Sequence, residues 1–470
     1  MDYDVVVVGA GTAGIPCALT AADNGARVLL VDKADVVGGT LHVSGGHMSA
    51  AGARRQRERG IDDTPDEHYD DIRRISLGTA PQTLTRLAVA HAADTVDWLA
   101  DHGFEFAAET PRIVYGHEPY TRARTYYGPD AGLSILAVLE RMLQPHVAAG
   151  TVQLWLGCPV TSLAVQRGRV VGVVAQRAGA PETVRAAAVV LATGGYGGSP
   201  EMFAELHDAP LVTAAMPTST GDGLRMAREL GAVVVGADDF IPTFGGLPAA
   251  DDPTRVYWPD RPLLVAEERT PWEIYVGRYG RRFVAEDLRS IDAKERALVR
   301  LDDLTFFMVF DDRAVDESGT IIDGWSPEDV RRRAGRRPGL FVADSIPALA
   351  ERAGIDAGGL GRTVARYNTM VGRGSDPDFG REVFPATIER PPFYAVRNHG
   401  VTLITFAGVA VDDTLAVRHR DGTRINGLYA IGEVIGAAAT MGNAFCSGMV
   451  ITPAITFGRL LGARLATEVT

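Results

Sequence analysis

Cysteine is scarce. The 470 residues hold three, Cys17, Cys158 and Cys446, and none stands in a C-x-x-C or C-x-x-C-H pattern. That excludes a disulfide framework, a haem attachment site and a zinc knuckle. No run of about 18 or more uncharged apolar residues occurs, so no membrane-spanning helix is expected. Positive charge is in deficit, with a formal net charge of −12. This argues against a nucleic-acid partner and against docking on anionic lipid. The start, "MDYDVVVVGAG", enters a strand at once, with no basic stretch or cleavage site. No signal peptide is therefore expected, and a cytoplasmic location is the default. Internal repeats and low-complexity tracts are also missing.

The length exceeds what one hydrophobic core supports, so two domains are expected. Asp4–Val8 is a short apolar run, typical of a buried parallel strand. "GAGTAG" (Gly9–Gly14) follows, then a helix-like stretch, then "RVLLVDK", a strand ending on Asp32 and Lys33. This is G-x-G-x-x-G between strand and helix, with an acid closing the next strand: a dinucleotide fingerprint. Gly9 permits the tight turn, Gly11 the approach of a pyrophosphate, and Gly14 close helix–strand packing. Thr12 and Ala13 complete the turn, and the helix start offers N–H donors and a positive dipole end. Asp32 would accept the ribose hydroxyls.

Other stretches say which dinucleotide. "KADVVGGTLHVSGGHMSAAG" carries Gly39, Thr40, Ser44, Gly45 and Gly46. "VVLATGGYGG" is a strand ending in Ala192, Thr193 and Gly194, "TSTGDGLRMARELGA" opens a helix at Asp222, and "NGLYAIGEV" ends in Gly432 and Glu433. This set, in this order, closely resembles the FAD-dependent oxidoreductases of the fumarate reductase, succinate dehydrogenase flavoprotein and 3-ketosteroid dehydrogenase superfamily. The resemblance implies an α/β fold: a Rossmann-like (GR2-type) FAD-binding domain, residues 1–237 and 385–470, with an inserted α+β capping domain, residues 238–384. It implies that Glu433 binds the flavin ribitol, that Val160 meets the adenine, and that Asp222 sits beside the cofactor. The terminal helix, starting near Gly448, Met449 and Val450, would turn its N–H groups to the flavin and stabilise the charge of its reduced form. The family's covalent histidine falls on Gly39, so non-covalent FAD is expected. No second G-x-G-x-x-G occurs, so electrons would pass to or from a diffusible partner.

The reaction is read from what the family's motifs become here. The dicarboxylate-gripping histidines of "Q-x-H-P-T" and "H-H-T-M-G-G" are absent from "FIPT" and "LITFAG", and the arginine of "N-R-L-G-G-N" is absent from "TMGNAFCSG". "RFVAEDLR" keeps Glu286 and Arg289, and Arg313 follows "FDD" near where a proton-donating arginine would stand. "TMGNAFCSGMVITPAITFG" is similar to the 3-ketosteroid Δ1-dehydrogenase terminus, with Gly448 at the glycine whose N–H polarises the ketone. "RTYYGPDAG" resembles that family's tyrosine loop, which points to Tyr127 or Tyr126 as acid or base. Both lie in "GHEPYTRARTYYG", where Arg124 is a candidate substrate contact. The expected activity is making or reducing a C=C bond α,β to the carbonyl of a small cyclic ketone. Alternatives are an oxidase or dehydrogenase at a heteroatom-bearing carbon, a fumarate reductase-like reduction of an unsaturated acid, and a non-redox flavoprotein.

Overall fold

The computed structural model describes residues 2–469. Five parallel strands form the heart of the first domain: β1 (Tyr3–Val8), β2 (Val28–Val31), β3 (Val152–Trp155), β4 (Ala180–Leu191) and β5 (Arg424–Ala430). Their order across the sheet is β5, β4, β1, β2, β3. Val5 pairs with Val28 on one side and Ala188 on the other. β1 and β2 are buried along nearly their whole length, as valine- and leucine-rich strands covered on both faces must be. A meander, Val160–Gln166 and Arg169–Arg177, leads antiparallel into β4.

Two helices lie against each other beside the sheet: α1 (Gly14–Asp23) and α2 (Ile451–Val469). Their contact is set by small residues. A Cβ on Gly458 would sit 2.4 Å from the Ala13 carbonyl oxygen, and one on Gly462 2.4 Å from that of Cys17. The last helix of the chain is thereby laid over the first glycine turn.

The inserted domain is built on a second sheet, ordered Thr243–Phe244, Phe393–Val401, Thr305–Asp311, Ile274–Val276. Leu340–Ala343 also pairs with Phe393–Val401. The expected boundary at 385 is corrected by this pairing. Met308 and Leu340 both pair with Val396, so Phe393–Val401 is a central strand of the inserted sheet. The chain returns to the first domain only after it.

Candidate active site

At the carboxyl ends of the parallel strands lies a cavity of about 1050 Å³, its open mouth included. Such strand ends are where open α/β sheets bind ligands. The chain leaves β1 through Gly9, at φ +110°, where a Cβ would lie 2.2 Å from the Ala192 oxygen. A Cβ on Gly14 would lie 1.8 Å from the Gly9 oxygen, so α1 can press on the turn only without a side chain there. Gly11, Thr12 and Ala13 line the floor. Asp32 is oriented by two backbone amides, accepting from Ala10 N–H at 2.7 Å and Ala34 N–H at 2.8 Å. Gly39, Thr40, Val160, Ala192, Thr193 and Gly194 line the walls. Lys33 and Asp222 also reach the cavity, joined by a 2.7 Å ion pair.

The hydroxyls of Thr12 and Thr193 are buried with no hydrogen-bond partner. Buried hydroxyls are rarely left so. Two orphaned donors beside a glycine turn and a helix N-terminus fit a pyrophosphate. An oriented Asp32 fits a ribose, and the walls fit the remainder of a dinucleotide.

At the far end stands Glu433, whose Oε1 accepts from the Thr405 N–H and hydroxyl, each at 2.8 Å. Burial raises its pKa above the usual carboxylate value. Gly432 and Glu433 line the cavity together with Val450, Ile451 and Ala454 of the last helix. That helix starts from a turn at Gly448, φ +79°. Two side chains from the loop after Gly116 hold this turn. The Tyr120 hydroxyl donates to the Ser447 carbonyl at 2.8 Å, and the Thr125 hydroxyl to Ser447 Oγ at 3.1 Å. Met449 is buried beneath it. Cys446 is also buried, and its thiol pKa is pushed well up, so it is no thiolate.

Several expected residues lie elsewhere. Ser44 and Gly46 pack against the start of the helix Gly132–Ala149: Gly132 N–H donates to the Ser44 carbonyl, and a Cβ on Gly46 would lie 2.4 Å from the Ala131 carbonyl carbon. Gly45 lies in a separate depression with His47 and Tyr127. Tyr127 donates there to Glu109 at 2.7 Å, away from the cofactor cavity. Tyr126 is excluded by strand alternation. It is paired beside Thr125 against Met48–Ser49; Thr125 faces Ser447, so Tyr126 turns the other way, onto Phe106. The phenol at the helix start is Tyr120.

The arginines are corrected too. Arg124 is fully buried, bidentate to Asp63 (2.8 and 2.9 Å) and bonded to Asp71 at 2.9 Å. Its donors are committed, so it grips no substrate. Glu286 points inward, bridging Arg282 and Arg381, rather than sharing a face with the exposed Arg289. Arg313 is exposed on the helix Asp312–Glu317 and pairs with Glu317.

Sequence reasoning missed a cluster at the seam between the domains. Asp292 and Glu295, on the helix Ile291–Leu298, converge with His117. The His117 ring stacks on Phe445, centroids 4.6 Å apart, and Phe445 meets Phe406 edge-on at 5.3 Å. Burial pushes Asp292 up to about 6 and Glu295 well up, and pulls His117 down to about 4. The signals in the sequence were His117 in the polar-aromatic loop "GHEPYTRARTYYG" and two acids three apart in "IDAKERAL", with nothing to join them.

Over residues 4–450 the sequence matches the model of a protein family described as FAD binding domain. The chain belongs to that family. It is 29% identical over 98% of its length to a fumarate reductase (cytochrome) of Shewanella frigidimarina, covering 77% of that protein. It is 28% identical over 99% of its length to a 4-oxocyclohexanecarboxylate 2-dehydrogenase of Sinomonas cyclohexanicum, covering 93% of it. Among solved structures, 3-ketosteroid-Δ4-(5α)-dehydrogenase from Rhodococcus jostii RHA1 superposes with a TM-score of 0.71 at 25% identity, over 99% of this chain and 96% of that one. The protein is an FAD-dependent oxidoreductase with the Rossmann-like, capped fold of these enzymes. Among the described residues no helix is long and apolar enough to cross a membrane.

Proposed function

We propose that this flavoenzyme makes or reduces a C=C bond α,β to the carbonyl of a small cyclic ketone. The observation that carries the reading is the wall before the terminal helix. Phe445 packs on Phe406, which packs on Phe240 at 6.2 Å. The nearby cations are already spent: Arg124 on Asp63 and Asp71, Arg296 on Asn443 and the Ile75 carbonyl. A site that grips two carboxylates needs paired cations, because a buried charge without a partner is costly. An apolar wall with committed arginines suits a neutral ring instead. The relative named for 4-oxocyclohexanecarboxylate, covered over 93% of its length, supports the cyclic-ketone part of the reading, though that ring carries one carboxylate.

Gly9, Gly11, Thr12, Asp32, Thr193 and Glu433 would hold the FAD. When bound, it supplies a two-electron hydride acceptor and donor. The chain's own part is polar and positional. Gly448 offers its N–H at the start of the last helix, where it would hold the ketone oxygen as negative charge develops on it. Tyr120 and Thr125 fix that turn through Ser447. Phe445, beside that turn and backed by Phe406, would shield the reacting carbons from water. The FAD is proposed to be held non-covalently: His42, which lines the cavity, spends Nε2 on the Val37 carbonyl at 2.8 Å. Acid precipitation should then release all flavin to the supernatant; flavin retained in the pellet contradicts this.

The test is anaerobic and photometric. The purified protein is mixed with cyclohexanone, oxocyclohexane carboxylates and 3-ketosteroids while the visible flavin band is followed. Bleaching by a cyclic ketone, or reoxidation of the chemically reduced enzyme by a cyclic enone, is the expected result. Silence toward both sets, with turnover of fumarate or rapid reoxidation by oxygen instead, refutes the reading.

A further inference from the structure

The seam cluster of His117, Asp292 and Glu295 is more than a group of acids in one place. Asp292 and Glu295 are essentially inaccessible, at 1% and 0% exposure. Each residue is held by its neighbours and leaves an atom without a hydrogen-bond partner. Glu295 Oε1 accepts from Phe244 N–H at 3.1 Å, while Oε2 is buried and unbonded. Asp292 Oδ1 is approached by Glu118 N–H at 3.3 Å, while Oδ2 is buried and unbonded. The His117 ring is fixed by stacking on Phe445, and its Nδ1 is likewise unbonded. One ligand atom from each residue lies within 4.8 Å of the other two. His117 Nδ1 and Glu295 Oε1 stand 3.8 Å apart, too far for a direct hydrogen bond.

Three acceptors held around a common point have no cation in hydrogen-bonding contact with them. Arg296 does not provide it. Its nearest approach to Asp292 is 3.8 Å, and its donors go to Asn443 and Ile75. Two buried carboxylates that share a single distant cation, Arg296 at 3.8 Å from Asp292, are costly, and a divalent cation would neutralise both. Zinc bonds of about 2.0–2.2 Å to imidazole nitrogen and carboxylate oxygen put neighbouring ligands roughly 3–4 Å apart; His117 Nδ1 and Glu295 Oε1 stand 3.8 Å apart, and the three ligand atoms, within 4.8 Å of one another, would draw in by under an ångström or so on binding. A mixed imidazole and carboxylate set favours a first-row transition ion over magnesium or calcium. The side chain of His117 is 27% exposed, which leaves a route in from solvent.

We propose that His117, Asp292 and Glu295 form a binding site for one divalent transition-metal ion at the seam between the two domains. A solvent molecule completes the coordination. The site stands on these three side chains and does not depend on the ketone reading.

The holoenzyme is dialysed against a chelator, reloaded with Zn2+, freed of excess by gel filtration, and its zinc counted by mass spectrometry. One equivalent should remain, with flavin content unchanged. His117→Phe keeps the stacking ring, and Glu295→Gln keeps an acceptor for Phe244 N–H. Each should lower affinity by more than the about 10–100-fold that loss of an outer-shell partner costs a metal site. In a measurement on the wild type alone, Mn2+ added to the chelator-treated enzyme should lose its free-ion electron paramagnetic resonance signal up to one equivalent, and Zn2+ should restore it. Zinc absent from the reloaded wild type, an equal zinc content in both variants, or an unchanged manganese signal overturns the proposal.

Discussion

Gly448→Ala tests whether the last helix is seated where the geometry puts it. Three terms contribute. The residue sits at φ +79°, where a side chain costs about 1–2 kcal/mol. Its Cβ would also lie 2.3 Å from Ser49 N and 2.4 Å from the Met48 carbonyl carbon, which are backbone atoms that cannot rotate aside. Relieving that overlap moves the helix start off the Met48–Ser49 strand, an overpacking cost of about 1–3 kcal/mol. The same movement breaks the buried bond from Ser49 N–H to the Thr452 hydroxyl, now 2.8 Å, and an unsatisfied buried donor costs about 1–3 kcal/mol. The sum is about 3–8 kcal/mol, at the severe end for a single substitution. Gly25→Ala is the control. It shares the positive φ, at +90°, but nothing lies within 4 Å of its Cβ, so it should cost only the backbone term of about 1–2 kcal/mol. The assay is chemical denaturation of both variants beside the wild type, with flavin bound per chain measured on the same samples. Gly448→Ala should lose flavin and unfold far earlier than Gly25→Ala. If the two variants match in stability and both retain full flavin, the close seating of the helix on the strand is wrong.

Replacing Arg124 with Met strands Asp63 and Asp71 in the interior; a thermal melt should show a loss of about 3–5 kcal/mol, whereas a substrate-gripping role would show in KM instead. Tyr127→Phe removes the bond to Glu109 and a long one from Arg112, both at the surface, so kcat and stability should stay within the about 0.5 kcal/mol typical of surface changes. Tyr120→Phe releases the Ser447 carbonyl and should lower kcat with little change in KM, in steady-state assays of whichever ketone bleaches the flavin. His399 is bonded to the Thr305 hydroxyl at 2.9 Å, and burial, aided by Arg397, lowers its pKa to about 4. Its folded value lies below its unfolded one, so the stability it contributes is present above pH about 6.5 and is lost as pH falls toward 4, by up to about 3 kcal/mol. His399→Gln should flatten that part of the curve of melting temperature against pH; an unchanged acid limb contradicts it.

The cofactor end of the site was legible because its constraints act on the backbone over a few consecutive residues. A turn that lets α1 reach β1 forbids a side chain at Gly9 and Gly14, and that demand is written at fixed spacing. The Thr193-Gly194 and Gly432-Glu433 strand ends are of the same kind. The substrate end is set by pairing between distant segments, which leaves no such spacing. Tyr126 and Tyr127 stand together in a tyrosine-rich loop, yet the Met48–Ser49 strand turns Tyr126 inward and Tyr127 meets Glu109 outside. Phe393–Val401 reads as a strand, but only its partners on both sides place it in the inserted sheet. The charged stretch "RFVAEDLR" shows how a motif can persist while its duty changes. Glu286 accepts from Arg282 and from Arg381, a residue 95 positions away in sequence. Both of its oxygens are thereby engaged, since Oε1 also takes the Tyr275 N–H at 3.0 Å. A carboxylate so enclosed ties the strand Ile274–Val276 to two loops of the inserted domain and has no oxygen left for a substrate. The same letters that resemble a catalytic motif here report the stability of the cap.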